Sequence, residues 1–301
     1  MTLHKHVKYN AKRCLCNNWG KAVAIVLLST AIYLLFVIIE MLAHLLLKLP
    51  AGPSAFILGQ IPDSWILSGI LSLVMALGSY LLLVPLHLGT TFWYYSLSEG
   101  TSEDILGIFC AFANRHLFFR SLGLAFCMGV RSLLYALLYL LLPGAGTVAS
   151  LWLLNHPVFE GAVFVGSMSL VLSLVLLTVA AVFWGIHIQK YFLAEYYLLD
   201  GKTSVHKALK SSIHATHGRR DEIFLFKLSF IGWGIASLFV LPTLYSSPYF
   251  SMSSLLYARV IMEEDRRRNS IVPFVPMSCA EEQQDTKTFE TPGSETLEEE
   301  N

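Results

Sequence analysis

The sequence predicts an all-α polytopic membrane bundle. About six transmembrane helices form three hairpins repeated in parallel, with two cytoplasmic amphipathic helices. Three observations carry this reading. Of the 301 residues, 55% are hydrophobic and only 14% are charged, with mean hydropathy +0.59. A soluble domain is also near half apolar but about a quarter charged, so the deficit in charge is the informative number. Several apolar runs exceed the roughly 20 residues that cross a hydrocarbon core of about 30 Å. Lys and Arg crowd some connections and are almost missing from others, although Lys+Arg and Asp+Glu are equal at 21 each.

Residues 1–21 are basic and polar, carrying Lys5, Lys8, Lys12, Arg13 and Lys21 without an acid. Asn18-Trp19-Gly20-Lys21 opens the first apolar run, Ala22 to Leu47. It is too long for a signal-peptide core and lacks a cleavage site. Pro50, Gly52, Pro53, Pro62 and Asp63 make the next loop. The second span runs from about Trp65 to Leu88, with Pro85 near its end, and leaves through Phe92-Trp93-Tyr94-Tyr95. Thr101-Ser102-Glu103-Asp104 starts a short helix, in which Ile105, Ile108, Phe109 and Phe112 share a face. A third span, about Leu122 to Leu142, carries Arg131 near its middle and is closed by Pro143-Gly144. The fourth, about Ala162 to His187, continues as helix towards Leu199.

Gly201 then stops the chain, and Thr203 or Ser204 caps a basic amphipathic helix. Val205, Leu209 and Ile213 line one of its faces; Lys207, Lys210 and His214 line the other. Gly218 ends it, Arg219-Arg220 follow, and a fifth span runs from about Ile223 to Tyr245. A sixth, Pro248 to Met262, is short and Ser-rich, and spans only with help from Leu244-Tyr245. Three regions result: a basic cytoplasmic segment 1–21, a transmembrane domain 22–262, and an acidic, largely disordered cytoplasmic tail 263–301. Lys and Arg cluster before residue 22, at 115–120, at 190–220 and after 258. The opposite loops hold only Lys48. The positive-inside rule therefore expects a multi-pass protein of the cell membrane with both termini in the cytoplasm.

Aligning Tyr94 with Tyr196, without a gap, also matches Tyr95 with Tyr197, Leu97 with Leu199, Thr101 with Thr203 and Ser102 with Ser204. Leu256-Tyr257-Ala258-Arg259 is a weaker third echo. Each copy follows a pair of spans, which is the basis for three parallel hairpins.

Further segments bear a family likeness. They are Asn18-Trp19-Gly20-Lys21-Ala22, Ser102-Glu103-Asp104-Ile105 and Ala208-Leu209-Lys210-x-Ser212. Leu228-Ser229-Phe230-Ile231-Gly232-Trp233, Leu241-Pro242-x-Leu244-Tyr245-x-x-Pro248-Tyr249 and Tyr257-Ala258-Arg259 complete the set. Together, over about residues 10–265, the chain resembles a bacterial integral membrane family of unknown function, domain of unknown function 975. The resemblance implies a polytopic envelope protein and no particular activity.

Chemistry is sparse. Glu40 and His44 share a helix face in the first span. With Arg131 they form a candidate intramembrane polar site, because ionisable groups in spans are expensive and commonly functional. Arg131 at a helix centre costs about 2.5–3.5 kcal/mol, so it is expected to pair with Glu40. A structural ion pair and a substrate contact both fit. Lys207, Lys210, Arg219 and Arg220 are candidate contacts for anionic lipid headgroups. Cys14, Cys16, Cys110, Cys127 and Cys279 form no paired framework and read as free thiols. No nucleotide-loop, zinc-protease or nucleophile-elbow motif occurs. No catalytic, cofactor or metal set is therefore expected, and the basic residues fit membrane topology better than nucleic acid. The expected partners are the lipid bilayer and a membrane or cytoplasmic protein met by the amphipathic helices and acidic tail. A non-enzymatic envelope scaffold, assembly or regulatory factor is the leading reading; a transporter or permease for a small solute or lipid is the alternative.

Overall fold

The computed structural model describes residues 3–48, 65–101, 104–156, 158, 160–199 and 203–269. The loop with Pro50, Gly52, Pro53, Pro62 and Asp63 lies outside the described residues, as do Ser102, Glu103, Gly201, Lys202, Cys279 and the acidic segment 277–301. The described residues are all-helical, with no strand among them. Four helices are long and apolar enough to cross a membrane.

The basic N-terminal segment is an ordered helix. Helix α1 (Leu3–Leu15) buries Val7, Ala11 and Leu15, spaced four apart on one face. Lys8 donates to Ser229 Oγ at 2.8 Å and lies 4.1 Å from the Phe230 ring centroid. Helix α2 (Trp19–Leu46) then pairs antiparallel with α3 (Trp65–Ser98). Gly78 lets the Phe36 ring approach, at 3.2 Å from where a β-carbon would stand.

After α3 the helix start is tighter than expected. Asp104 provides the cap, its side chain accepting from the Ile105 N–H. A 3-10 turn over Ile105–Phe109 follows, then the single-turn α4 (Cys110–Ala113). Asn114 breaks the path and caps α5 (Arg115–Asn155), accepting from the N–H groups of His116 and Leu117 at 2.9 and 3.3 Å.

Helix α5 corrects the third span. Pro143-Gly144 does not close it; the helix runs on for about three more turns, to Asn155. A proline removes one donor, but leaving the helix within lipid would orphan several more. Small residues then let α6 (Ala162–Ile188) pack closely against it: Ser150 and Ser169 hydroxyls meet at 2.9 Å, and Gly166 faces Leu154. The expected long outer loop shrinks to a short connection, with Gly161 at φ +88° capping α6. The helical path continues through a 3-10 turn at Gln189–Tyr191 into α7 (Ala194–Leu198).

Helix α8 (Val205–Ala215) is capped by Ser204, which accepts from the Lys207 N–H. It buries Ala208, Leu209, Ser212 and Ala215 and leaves Lys207 and Lys210 exposed. Gly218, at φ +78°, turns the chain after it.

The fifth span is broken among the described residues. Instead of one crossing there are α9 (Arg220–Leu228), α10 (Ile231–Ala236) and the start of α11 (Val240–Asn269). Serines mark the breaks by turning back on their own backbone: Ser229 donates to Phe226 O and Ser237 to Gly234 O. Gly232 and Gly234 weaken the helix between them. The short sixth segment belongs to the longer α11, which takes in Leu244-Tyr245.

The core lies at one end of the molecule. Few residues in the apolar stretches of the four long helices are buried, as suits lipid-facing helices. Burial instead gathers where Leu86–Leu97 of α3, Tyr191–Leu199, α1, α8 and Tyr249–Met262 of α11 meet. Both tyrosine pairs of the sequence match, and Tyr257 of the third echo, pack in or against this core. Phe226 stacks on Tyr257 at 4.3 Å, and Trp19 on Tyr245 at 4.8 Å.

Candidate functional site

The structure keeps Glu40 and His44 of the expected intramembrane site together and places Arg131 apart from them. Glu40 accepts a hydrogen bond from Ser72 at 2.6 Å. His44 is buried, with Nε2 3.1 Å from Ser68 Oγ and Nδ1 2.9 Å from the Glu40 carbonyl. These bonds lie within the α2–α3 hairpin, and each polar group has a local partner. No ion pair joins Glu40 to Arg131 among the described residues.

Arg131 belongs to the other end of the molecule, beside α8. Its guanidinium carbon lies 5.8 Å from the Tyr191 ring centroid, and it lines a cleft with residues of α8 and α11. The reason is where the α5–α6 pairing begins. Trp184 Nε1 donates to Ser132 O at 3.3 Å, and Tyr135 meets the His187 ring at 4.3 Å. From Ser132 to Asn155 the helix rises about 36 Å, enough by itself to cross the hydrocarbon. Arg131 is therefore at the end of that stretch rather than its middle. A crossing over 132–155 would spare Arg131 the burial penalty that called for Glu40.

The cleft holds about 780 Å³. Arg131 from α5, His206 and Lys210 from α8, His217 and Arg219 from the following turn, and Arg268 from α11 face it. Glu264 and Asp265 line it as well. Arg219 forms an ion pair with Glu264, and His214 Nδ1 lies 3.5 Å from Asp265 Oδ1. Half-exposed pairs of this kind contribute about 0–1 kcal/mol each, so they orient more than they stabilise. Arg131, Lys210, Arg219 and Arg268 oppose two acids, so these six groups leave the cleft net positive. No ion pair engages Arg131, Lys210 or Arg268 among the described residues. Such an arrangement can hold an anion by charge and by forked guanidinium donors.

Of the candidate headgroup contacts, Lys210 and Arg219 enter this cleft with Arg131; Lys207 and Arg220 lie outside its lining. Sequence reasoning missed the contribution of α11. Its signal was Glu264-Asp265-Arg266-Arg267-Arg268, which reads as a solvated run until the helix continues through it. No group of three or more metal-ligating side chains occurs among the described residues. Cys14, Cys16, Cys110 and Cys127 form no disulfide among the described residues.

Residues 1–265 match a protein family described as Protein of unknown function (DUF975). No curated protein and no solved structure matches the chain.

Proposed function

The chain belongs to that family, and on this premise we propose that it is a non-enzymatic envelope protein of the cell membrane. In this reading it serves as a scaffold, assembly or regulatory factor. Its basic cleft and both termini face the cytoplasm, and the cleft holds a phosphate-bearing headgroup of an anionic lipid. The observation that carries the reading is the convergence of Arg131, Lys210, Arg219 and Arg268 from separate elements on one cleft beside the lipid-facing hairpins. A cationic site at that level meets the negative surface potential of the inner leaflet, worth about 1 kcal/mol per basic residue near the surface. The local satisfaction of Glu40 and His44 further favours a role at this face over one at membrane depth.

The test is the thermal midpoint of the full chain in nanodiscs, with and without phosphatidylglycerol in a phosphatidylcholine background. Anionic lipid should raise the midpoint, and a Lys210→Ala/Arg268→Ala variant should lose most of that gain. Free inorganic phosphate should not reproduce it. Equal midpoints in both lipids, or a gain untouched by the double variant, would refute the headgroup site.

Transport of a small solute or lipid is the second reading. It is supported by the matched tyrosine pairs, which argue for repeated hairpins, and by the cavity between these hairpins treated below. In that case the sixth helix would complete three hairpins. Uptake of a candidate solute into proteoliposomes, dependent on that cavity, distinguishes it.

A further inference from the structure

A second cavity, of about 420 Å³, lies where α3, α5, α7, α9 and α11 approach one another. The headgroup role makes no use of its chemistry. Glu195 accepts a hydrogen bond from Thr91 at 2.6 Å and lies 3.5 Å from His87 Nε2. That carboxylate is already engaged from the α3 side. Lys227 lines the same cavity, its ammonium 4.7 Å from the Phe192 ring centroid. Two hydroxyls of the wall, Tyr94 Oη and Ser254 Oγ, are buried without a hydrogen-bond partner. Their residues are 2% and 5% exposed. Native proteins rarely leave buried hydroxyls unpaired, so two of them beside a lysine in one cavity mark a place for a ligand's acceptor atoms. The remaining wall is largely apolar and aromatic, with Tyr191, Phe192 and Phe250.

We propose that this cavity binds a small organic carboxylate with an apolar body. The carboxylate meets Lys227 and the hydroxyls of Tyr94 and Ser254, and the body packs on Tyr191, Phe192 and Phe250. A cation is disfavoured because Thr91 and His87 already occupy the only acid in the lining. Glu195 attracts Lys227 electrostatically too, but its carboxylate is held by Thr91 and His87, so a neutral ligand would give the ammonium no partner of its own. The volume falls in the ordinary range for small-molecule sites, and few polar groups in an apolar wall are their usual composition. Such a ligand would join α3, α9 and α11 through one anion, which makes the core responsive to its concentration.

Benzoate is the probe, with benzyl alcohol and benzylamine as neutral and cationic counterparts. The full chain, solubilised in a neutral detergent, is titrated with each while its thermal midpoint is followed. Benzoate should raise the midpoint saturably, and its counterparts should not. Tyr94→Phe should weaken the apparent affinity for benzoate about threefold or more, and Lys227→Met at least tenfold. Arg267→Gln, on the exposed side of α11, should leave it unchanged. If Lys227→Met does not fold, Tyr94→Phe and Ser254→Ala decide the matter. The inference is overturned if benzoate gives no saturable gain or if either counterpart matches it. Affinity surviving every folded cavity variant overturns it too. The headgroup site is judged separately, through Lys210 and Arg268.

Discussion

Gly89 of α3 crosses the 3-10 turn so closely that a β-carbon there would stand 1.8 Å from the Ile108 carbonyl oxygen and 2.7 Å from its carbon. With about 3.3 Å as the nearest ordinary C···O contact, Gly89→Ala would force helix and turn apart by roughly 1.5 Å. An added methyl costs about 1–3 kcal/mol where side chains can yield. Here the obstacle is backbone and Ile108 is fully buried, so the upper end is expected, about 3 kcal/mol. For a domain of this size that lowers the thermal midpoint by about 6–12 °C. Differential scanning fluorimetry of the detergent-solubilised chain reads it directly. Gly69→Ala, on the same helix, is the control, because nothing lies within 4 Å of its added carbon. It should be neutral or stabilising by up to about 1 kcal/mol. A Gly89→Ala midpoint within about 2 °C of wild type would refute the packing of the turn on α3.

Three further outcomes follow from named contacts. Asn114→Ala removes the acceptor for two N–H groups at the start of α5, and should destabilise by about 0.5–2 kcal/mol, whereas Asn114→Asp keeps an acceptor oxygen and should keep most of the stability. Ser212 is fully buried, donates to Lys190 O at 2.8 Å and accepts from the Leu193 N–H at 3.1 Å. Ser212→Ala orphans that N–H and should cost about 1–3 kcal/mol in denaturant or thermal melts; a neutral result would contradict the docking of α8. Arg131→Cys, in a background without other cysteines, should react with a membrane-impermeant thiol reagent supplied from the α8 side only. Labelling from the opposite side would place Arg131 at membrane depth after all.

The helical class was legible because lipid leaves its mark on composition and run length. The four most apolar runs became the four longest apolar helices. What misled was treating proline and glycine as stops. Pro143-Gly144 ends a helix in water, where freed carbonyls find solvent; between α5 and α6 continuation satisfies more groups. Shortening that span moved its midpoint onto Arg131 and created the need for Glu40. The opposite error occurred at residues 223–245, where an apolar average hid Ser229, Gly232, Gly234 and Ser237. For the site, helical periodicity in the sequence identified Lys210, and the basic pair after Gly218 identified Arg219. It could not reveal that α11 closes the other side, since its partner on α8 is some fifty residues distant and no local pattern encodes that meeting. The link of Glu195 to Thr91 and His87, over a hundred residues earlier, is tertiary, and no local pattern carries it.

The placement of α11 sets an order of events during synthesis. The helix that fills the core is the last described element, and its first neighbour, α1, is the earliest. About 230 residues separate Leu15 from Tyr249. At roughly 5–20 residues per second, the ribosome needs on the order of 12–46 s to connect them. Both hairpins can insert in that interval, yet the faces of α1, α3 and α8 that await α11 stay uncovered. A nascent chain halted before Tyr249 would thus be integrated but unfinished, open to proteases and chaperones, and maturation would be a terminal, post-insertion step.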